Sequence, residues 1–473
     1  MEDTYIANED CISSLISILS SNVRMSFSLS SKSLSKTYFM VNSLTPEPEV
    51  FVRKLNKFKY VNNLNLSKYN KFQNISQFRN LTSLSIGTRC DFKDISSLKN
   101  LYSLEISSNK LIDLEGLHKL TYLKFHLHHV KSITSLKALK KLFILGSRYK
   151  YQDRINPAKH IHYDLNQNTN LQTLILPSEH SEKSYFTDIR MLENLEYLAC
   201  GNNNLFQNNY HASRLTFFSI NYYNLKIKGI CRQPQHHRLR NAPEIGDELY
   251  EEFSDIFYNM HNLQQLETLD YVSSKIICLQ KLTYLFLQSA LPCSNLTTLL
   301  NLKTLKLINF PYLLGWEGIA NTTLENLTLG HSYYMRNFSF RGTFPFLTRL
   351  KIEKVTNEID FSYMLNLVNL EIIFEGKKFK NIHLLTKLTE LHLGGIIPTA
   401  AKFTCLTNLI VLDAGSNKIK SLNSFVKLTE IHLSPANINL LNECTLTNLR
   451  KAYLKKKKCN KLDIKLKDLE IYV

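Results

Sequence analysis

The densest cluster of side chains able to do chemistry is His126, His128 and His129. Imidazoles at alternating positions could share a metal ion. No cysteine or carboxylate lies close by in sequence, however, and His128 falls at a turn position, so the cluster reads as surface histidine that satisfies a turn. His160 with His162 and the pair His236/His237 lie in irregular segments, where exposure accounts for them. No phosphate-binding loop, dinucleotide glycine fingerprint, zinc-protease helix or nucleophile elbow occurs. Catalysis has no starting point, and no catalytic residue, metal ligand or cofactor is expected.

A different set of residues is equipped for recognition. Tyr122, Lys124, His126, Phe143, Tyr197, Phe217, Tyr284, Phe286, Gln288, Lys306, Arg349, Lys351, Glu353, Glu371, Glu390, His392, Asp413, Glu430 and His432 all alternate with apolar residues in short segments. In a strand, alternate side chains point to opposite faces, so these point away from whatever the apolar ones bury. Aromatic and arginine side chains held on a rigid surface are candidate binding anchors, and isolated exposed apolar residues are also ordinary on any protein. Adjacency favours function. Strands about 4.8 Å apart would merge Tyr122 and Phe143 into an aromatic-basic patch, and Glu390, His392, Asp413, Glu430 and His432 into an acidic-histidine patch sensitive to pH.

The elements that must position these residues are repeats. Leu81/Leu84/Ile86, Leu101/Leu104/Ile106 and Leu120/Leu123/Phe125 follow Leu-x-x-Leu-x-Leu with a period of about 20. The signature returns at Leu139/Leu142/Ile144, Leu171/Leu174/Leu176, Leu195/Leu198/Cys200 and Leu215/Phe218/Ile220. It resumes at Leu282/Leu285/Leu287 and recurs through Leu302, Leu324, Leu347, Leu367, Leu388 and Leu409 to Leu428/Ile431/Leu433. One such unit cannot bury its own apolar face, so neighbours must stack, each contributing one short strand to a parallel sheet.

This pattern resembles the leucine-rich-repeat superfamily, in particular its short intracellular-type and internalin-like repeats. Segments 101–114 and 409–422 match most closely, and the resemblance runs from about Phe51 to Val473. It implies an α/β repeat solenoid, a curved horseshoe whose parallel sheet lines the concave face, with protein partners docking on that face. Family members hold the turn with an asparagine that appears here as Asn109, Asn203 and Asn417, while His128, Ser147 and Ser332 stand there in other repeats.

Residues 1–50 follow another period. Ile12, Leu15, Ile16 and Leu19 form the stripe of an amphipathic helix, which predicts a small helical N-terminal cap shielding the first repeat. Together with Leu29 and Leu34 they also resemble a degenerate F-box, which implies a Skp1-like adaptor and the substrate-receptor subunit of an SCF-type ubiquitin ligase. The opening Leu-Pro of that motif is missing and its spacing is compressed. The organisation read from the chain is therefore the cap at 1–50, a first repeat block at 51–225, a charged insertion at 226–262 with Arg232, Arg238 and Arg240 ahead of Glu244, Glu248 and Glu252, and a second block at 263–473.

Composition narrows the setting. Of 473 residues 44% are hydrophobic, enough to bury a core, which argues against wholesale disorder. The nine cysteines are scattered without metal or redox spacing, and neither a signal peptide nor a membrane span is apparent, so an intracellular, cytoplasmic or nuclear protein is expected. The net charge of +18 leaves nucleic-acid binding as a weaker alternative, because the lysines read as spread over the surface. The run Lys455–Lys458 reads as solvated lysine beside a final strand, since Leu462, Ile464, Leu466, Leu469 and Ile471 alternate through it.

Overall fold

The computed structural model describes residues 62–66, 75–76, 78–88, 90, 95–107, 111–127, 129–146, 163–177, 189, 191–200, 213–220, 260–268, 276, 278–288, 296–308, 323–330, 343–355, 359–374, 379–395, 403–415, 417, 419, 421–441, 445–454 and 469–472. The N-terminal cap, the F-box-like residues Ile12, Leu15, Ile16, Leu19, Leu29 and Leu34, and the insertion up to residue 259 lie outside the described residues. The chain divides into two compact units, Met1–Leu215 with Ile220–Ile227, and Thr216–Ser219 with Lys228–Val473.

In the first unit the strands are β1 Asn63–Leu66, β2 Ser83–Ile86, β3 Ser103–Ile106, β4 Tyr122–His126, β5 Lys141–Leu145, β6 Thr173–Ile175 and β7 Tyr197–Cys200. Each pairs in parallel with its successor, in a register that sets Leu64, Leu84, Leu104, Leu123, Leu142, Leu174 and Leu198 side by side. After β8 Phe217–Ile220, the second unit contains β9 Gln265–Thr268, β10 Tyr284–Gln288, β11 Thr304–Ile308, β12 Asn326–Leu329, β13 Arg349–Val355, β14 Ile359–Asp360, β15 Asn369–Phe374 and β16 Phe379–Lys380. It continues with β17 Glu390–Gly395, β18 Val411–Asp413, β19 Glu430–Leu433, β20 Lys451–Leu454 and β21 Glu470–Tyr472. From β9 to β21 the main strands again pair in sequence and in parallel, while β14 and β16 pair separately as a small second sheet.

The core follows from the repeat. In β3 the burial alternates, with Leu104 and Ile106 inside and Ser103 and Glu105 half-buried on the other face. Leu101, three residues before Leu104, is equally buried, as are its counterparts in every described repeat. Burying one such side chain stabilises by roughly 1.5–3 kcal/mol, and a single unit has nowhere to do it alone.

The α half of the expected α/β class is not found among the described residues. Among the described residues the connections hold 3-10 turns such as Phe361–Tyr363, Ile382–Leu384 and Phe403–Cys405, and no α-helix. A period of about 20 leaves too few residues, after a strand of four or five, for an α-helix and two turns. The chain instead returns through tight turns in which a buried residue's carbonyl accepts from the amide three residues on, as in Leu98 N–H to Ile95 and Leu101 N–H to Leu98, both 3.0 Å.

Polar residues next to the core tie one repeat to the last. Thr82, Thr121, Thr283, Thr348, Thr389 and Thr429 donate their hydroxyls to the carbonyls of Asn62, Tyr102, Gln264, Glu325, Val368 and Ile410, at 3.1–3.3 Å. One residue before the first core leucine, Asn100, Asn170, Asn194, Asn301, Asn408 and Asn448 donate their amides to carbonyls of the preceding repeat.

Candidate functional site

Outside the core, the sheet presents columns of side chains fixed by strand register. Tyr122 and Phe143 come together as expected, with ring centroids 5.3 Å apart. Phe143 is the direct register partner of Lys124, and Lys124 of Glu105. The Tyr122 hydroxyl donates to Glu105 Oε1 at 3.1 Å, and Lys124 Nζ lies 3.9 Å from the same oxygen. Partial burial, reinforced by the Glu105 charge and hydrogen bond, pushes the Tyr122 phenol up to about 12.

The second unit repeats this arrangement. Tyr284 donates to Glu267 Oε1 at 3.2 Å, and burial followed by the Glu267 charge raises it to about 12. Phe286 stands in register between Glu267 and Lys306, and Lys306 Nζ lies 5.3 Å from the Tyr284 ring centroid, within cation–π range. Gln288 closes the same strand, half-buried beside Ile308.

Further along, Arg349 is exposed and pairs in register with Asn369, while Lys351 bonds Glu371 at 2.9 Å and Glu353 at 3.3 Å. The hydrogen bond that Lys351 donates to Glu371, outweighing partial burial, raises Lys351 above its ordinary value. The acidic-histidine patch is then assembled by register: Glu371, His392, Asp413 and His432 form one column and Glu390 with Glu430 belong to the next. Asn369 donates its amide to Glu390, and His432 Nε2 lies 3.0 Å from Glu430 Oε1. Tyr197 and Phe217, half-buried on β7 and β8, also face outward from the core.

His126 corrects the expectation. It has outward parity but is only 6% exposed, because β4 ends there and the following strand's Leu145–Gly146 covers it. Its Nδ1 lies 2.8 Å from the Gly146 carbonyl, its Nε2 is buried without a hydrogen-bond partner, and its ring sits 5.7 Å from that of His129, which is buried too. This pair is interior, not surface, histidine, and His126 is unavailable to a partner. His128 lies outside the described residues. Among the described residues no group of three His, Cys, Asp or Glu is close enough to hold a metal ion.

Several contributors went unread in the sequence. Glu105 and Glu267 occupy the central outward position of their strands, where their alternation with Leu104/Ile106 and Leu266/Thr268 marks them. Tyr453 and Tyr472 extend the column beyond His432 as a stack with centroids 4.3 and 4.8 Å apart. They were hidden because Ala452 replaces a core leucine in β20 and the lysine run draws the eye. The lysines themselves are more ordered than a scattered reading allows: Lys119, Lys281, Lys387 and Lys427 share one repeat position, each donating to the asparagine Oδ1 of the preceding repeat at 2.6–2.9 Å.

Leucines at fixed spacing, one parallel strand per repeat and a polar outward sheet face define a leucine-rich-repeat solenoid. Among solved structures, the chain is similar to the functional domain of InlJ from Listeria monocytogenes, at 15% identity over 83% of this chain and 80% of that one, with a TM-score of 0.39. It is similar to the plant peptide hormone receptor RGFR1 in complex with RGF2, at 17% identity over 85% and 67%, TM-score 0.37. An internalin, inlF, from Listeria monocytogenes matches at 16% identity over 88% and 87%, TM-score 0.26. No family model matches the sequence, and no curated protein matches it.

Proposed function

We propose that the chain is a non-enzymatic interaction scaffold that takes a protein partner on the outward, concave face of its repeat sheet. The observation that carries this reading is the clamped aromatic pair Tyr122 and Phe143, with rings 5.3 Å apart and the phenol held by Glu105. An aromatic side chain locked before binding loses little rotamer freedom on docking, the property that makes such residues binding anchors. Phe286 beside Lys306 and Tyr284 offers the second unit's counterpart. An intracellular setting belongs to the same reading, in keeping with thiols such as Cys278 and Cys405 that are not in disulfides.

The test is affinity purification with the full chain as bait, followed by mass spectrometry, against a Tyr122→Ala/Phe143→Ala/Phe286→Ala bait shown by circular dichroism to be folded. The scaffold reading expects partners that the triple variant loses. Identical partner sets on both baits would remove the function from this face.

A further inference from the structure

Charge is not evenly distributed along the outward face of the second unit. From β11 to β13 the outward positions include Lys306, Arg349 and Lys351, and from β15 onward they turn acidic. Register sets Glu390, Val411, Glu430, Lys451 and Glu470 in one column and His392, Asp413, His432, Tyr453 and Tyr472 in the next. A chain of net charge +18 thus carries a local strip of carboxylate beside a stack of aromatic rings.

We propose that this strip, on β17 to β21, binds an extended segment of a partner protein bearing arginine at every third residue; the inference rests on the reading that the outward face binds protein. Two features of the geometry select that chemistry. Glu390, Glu430 and Glu470 stand on alternate strands, about 9.6 Å apart at a strand spacing of about 4.8 Å. A polyproline-type segment crossing the strands rises about 9.3 Å in three residues, so a side chain at every third position meets each carboxylate in turn. Guanidinium is the cation that suits the carboxylates, since it bonds each with two parallel N–H groups. Tyr472 is 44% exposed and its hydroxyl donates to Glu470 Oε2 at 2.6 Å, which sets ring and carboxylate side by side. Lys451 stands between Glu430 and Glu470 and offsets part of their charge, whereas Val411 between Glu390 and Glu430 offsets none and Asp413 adds to it. The Glu390–Asp413–Glu430 stretch is therefore the strongest part of the strip.

The experiment measures binding of fluorescent peptides to the full chain by anisotropy. One peptide repeats Arg-Pro-Pro, one has the same composition with its arginines contiguous, and one repeats Glu-Pro-Pro. The proposal expects the spaced-arginine peptide to bind most tightly, the acidic one not at all, and affinity to fall about tenfold or more in Glu390→Gln/Glu430→Gln. These near-isosteric changes leave the fold intact, which circular dichroism verifies, and Asn170→Ala, an exposed position outside the outward strand face, leaves the affinity unchanged. Equal binding of spaced and contiguous arginine, or no loss in the double glutamine variant, overturns the proposal. So does self-association of the chain that the double variant abolishes, because a second copy would then be the occupant. If the Tyr122/Phe143/Phe286 variant loses its captured partners while no arginine peptide binds, the scaffold reading stands and this one falls.

Discussion

Tyr122 on β4 donates its phenolic proton to Glu105 on β3, 3.1 Å away, in the open face of the sheet. Tyr284 and Glu267 reproduce the pair in the second unit at 3.2 Å. Both phenols are raised from an ordinary 10.0 to about 12, first by burial and then by the neighbouring carboxylate. The folded chain therefore holds these protons more tightly than the unfolded chain does. Their contribution to stability is complete below pH 10.0 and is lost as pH rises through about 12. Thermal melts across that window should show the midpoint falling together with the rise of tyrosinate absorbance. In Glu105→Gln/Glu267→Gln the phenols should titrate at lower pH, though still above ordinary tyrosine because burial remains. An unchanged titration would mean that the pairs do not form.

Gly415 holds a φ of +54°, and a Cβ there would lie 2.0 Å from the Leu393 carbonyl oxygen. Gly116 has a φ of +90° but its nearest neighbour would be 3.6 Å away. Gly116→Ala should thus meet backbone strain alone, about 1–2 kcal/mol, and Gly415→Ala should cost more, because the backbone of the neighbouring strand β17 must also move. Urea midpoints of the two variants, compared with the parent, decide the order.

Asn168 is fully buried, and its amide donates to the carbonyls of Ile133 at 3.2 Å and Leu136 at 3.0 Å, bridging two repeats. Asn168→Ala removes two buried hydrogen bonds, each worth about 0.5–1.5 kcal/mol, and should destabilise by about 1–3 kcal/mol, although the Ile133 and Leu136 carbonyls keep the amides of Leu136 and Leu139 as donors. Asn170, two residues on, donates to Lys137 O at 2.9 Å in an exposed setting, where water replaces it. Asn170→Ala should change stability by no more than about 0.5 kcal/mol. Equal effects in denaturant titrations would show that burial is not what gives Asn168 its weight.

The buried face was legible because a single rule generates it. Leu101, Leu104 and Ile106 recur in kind so often that period and strand follow from type and spacing alone, and alternation correctly sent Tyr122, Phe143 and Tyr284 outward. Reading failed where a strand departs from the rule. Thr268 and Ala452 fill leucine positions and masked β9 and β20, and His126 sits where alternation ends and the next repeat closes over it. The ladders of Asn and Lys stayed invisible for another reason: each bond joins residues about 20 apart, so only the stacked register reveals that Lys119 needs Asn100 or Lys427 needs Asn408.

The most direct test of the scaffold reading places a photo-activated cross-linker at Phe143 and Phe286 on the outward sheet face, and at the exposed turn residues Met191 (57% exposed) and Leu300 (60%) as controls. Captured partners should cross-link from Phe143 or Phe286 and not from the turns. Cross-links arising from Met191 or Leu300 alone would contradict the account.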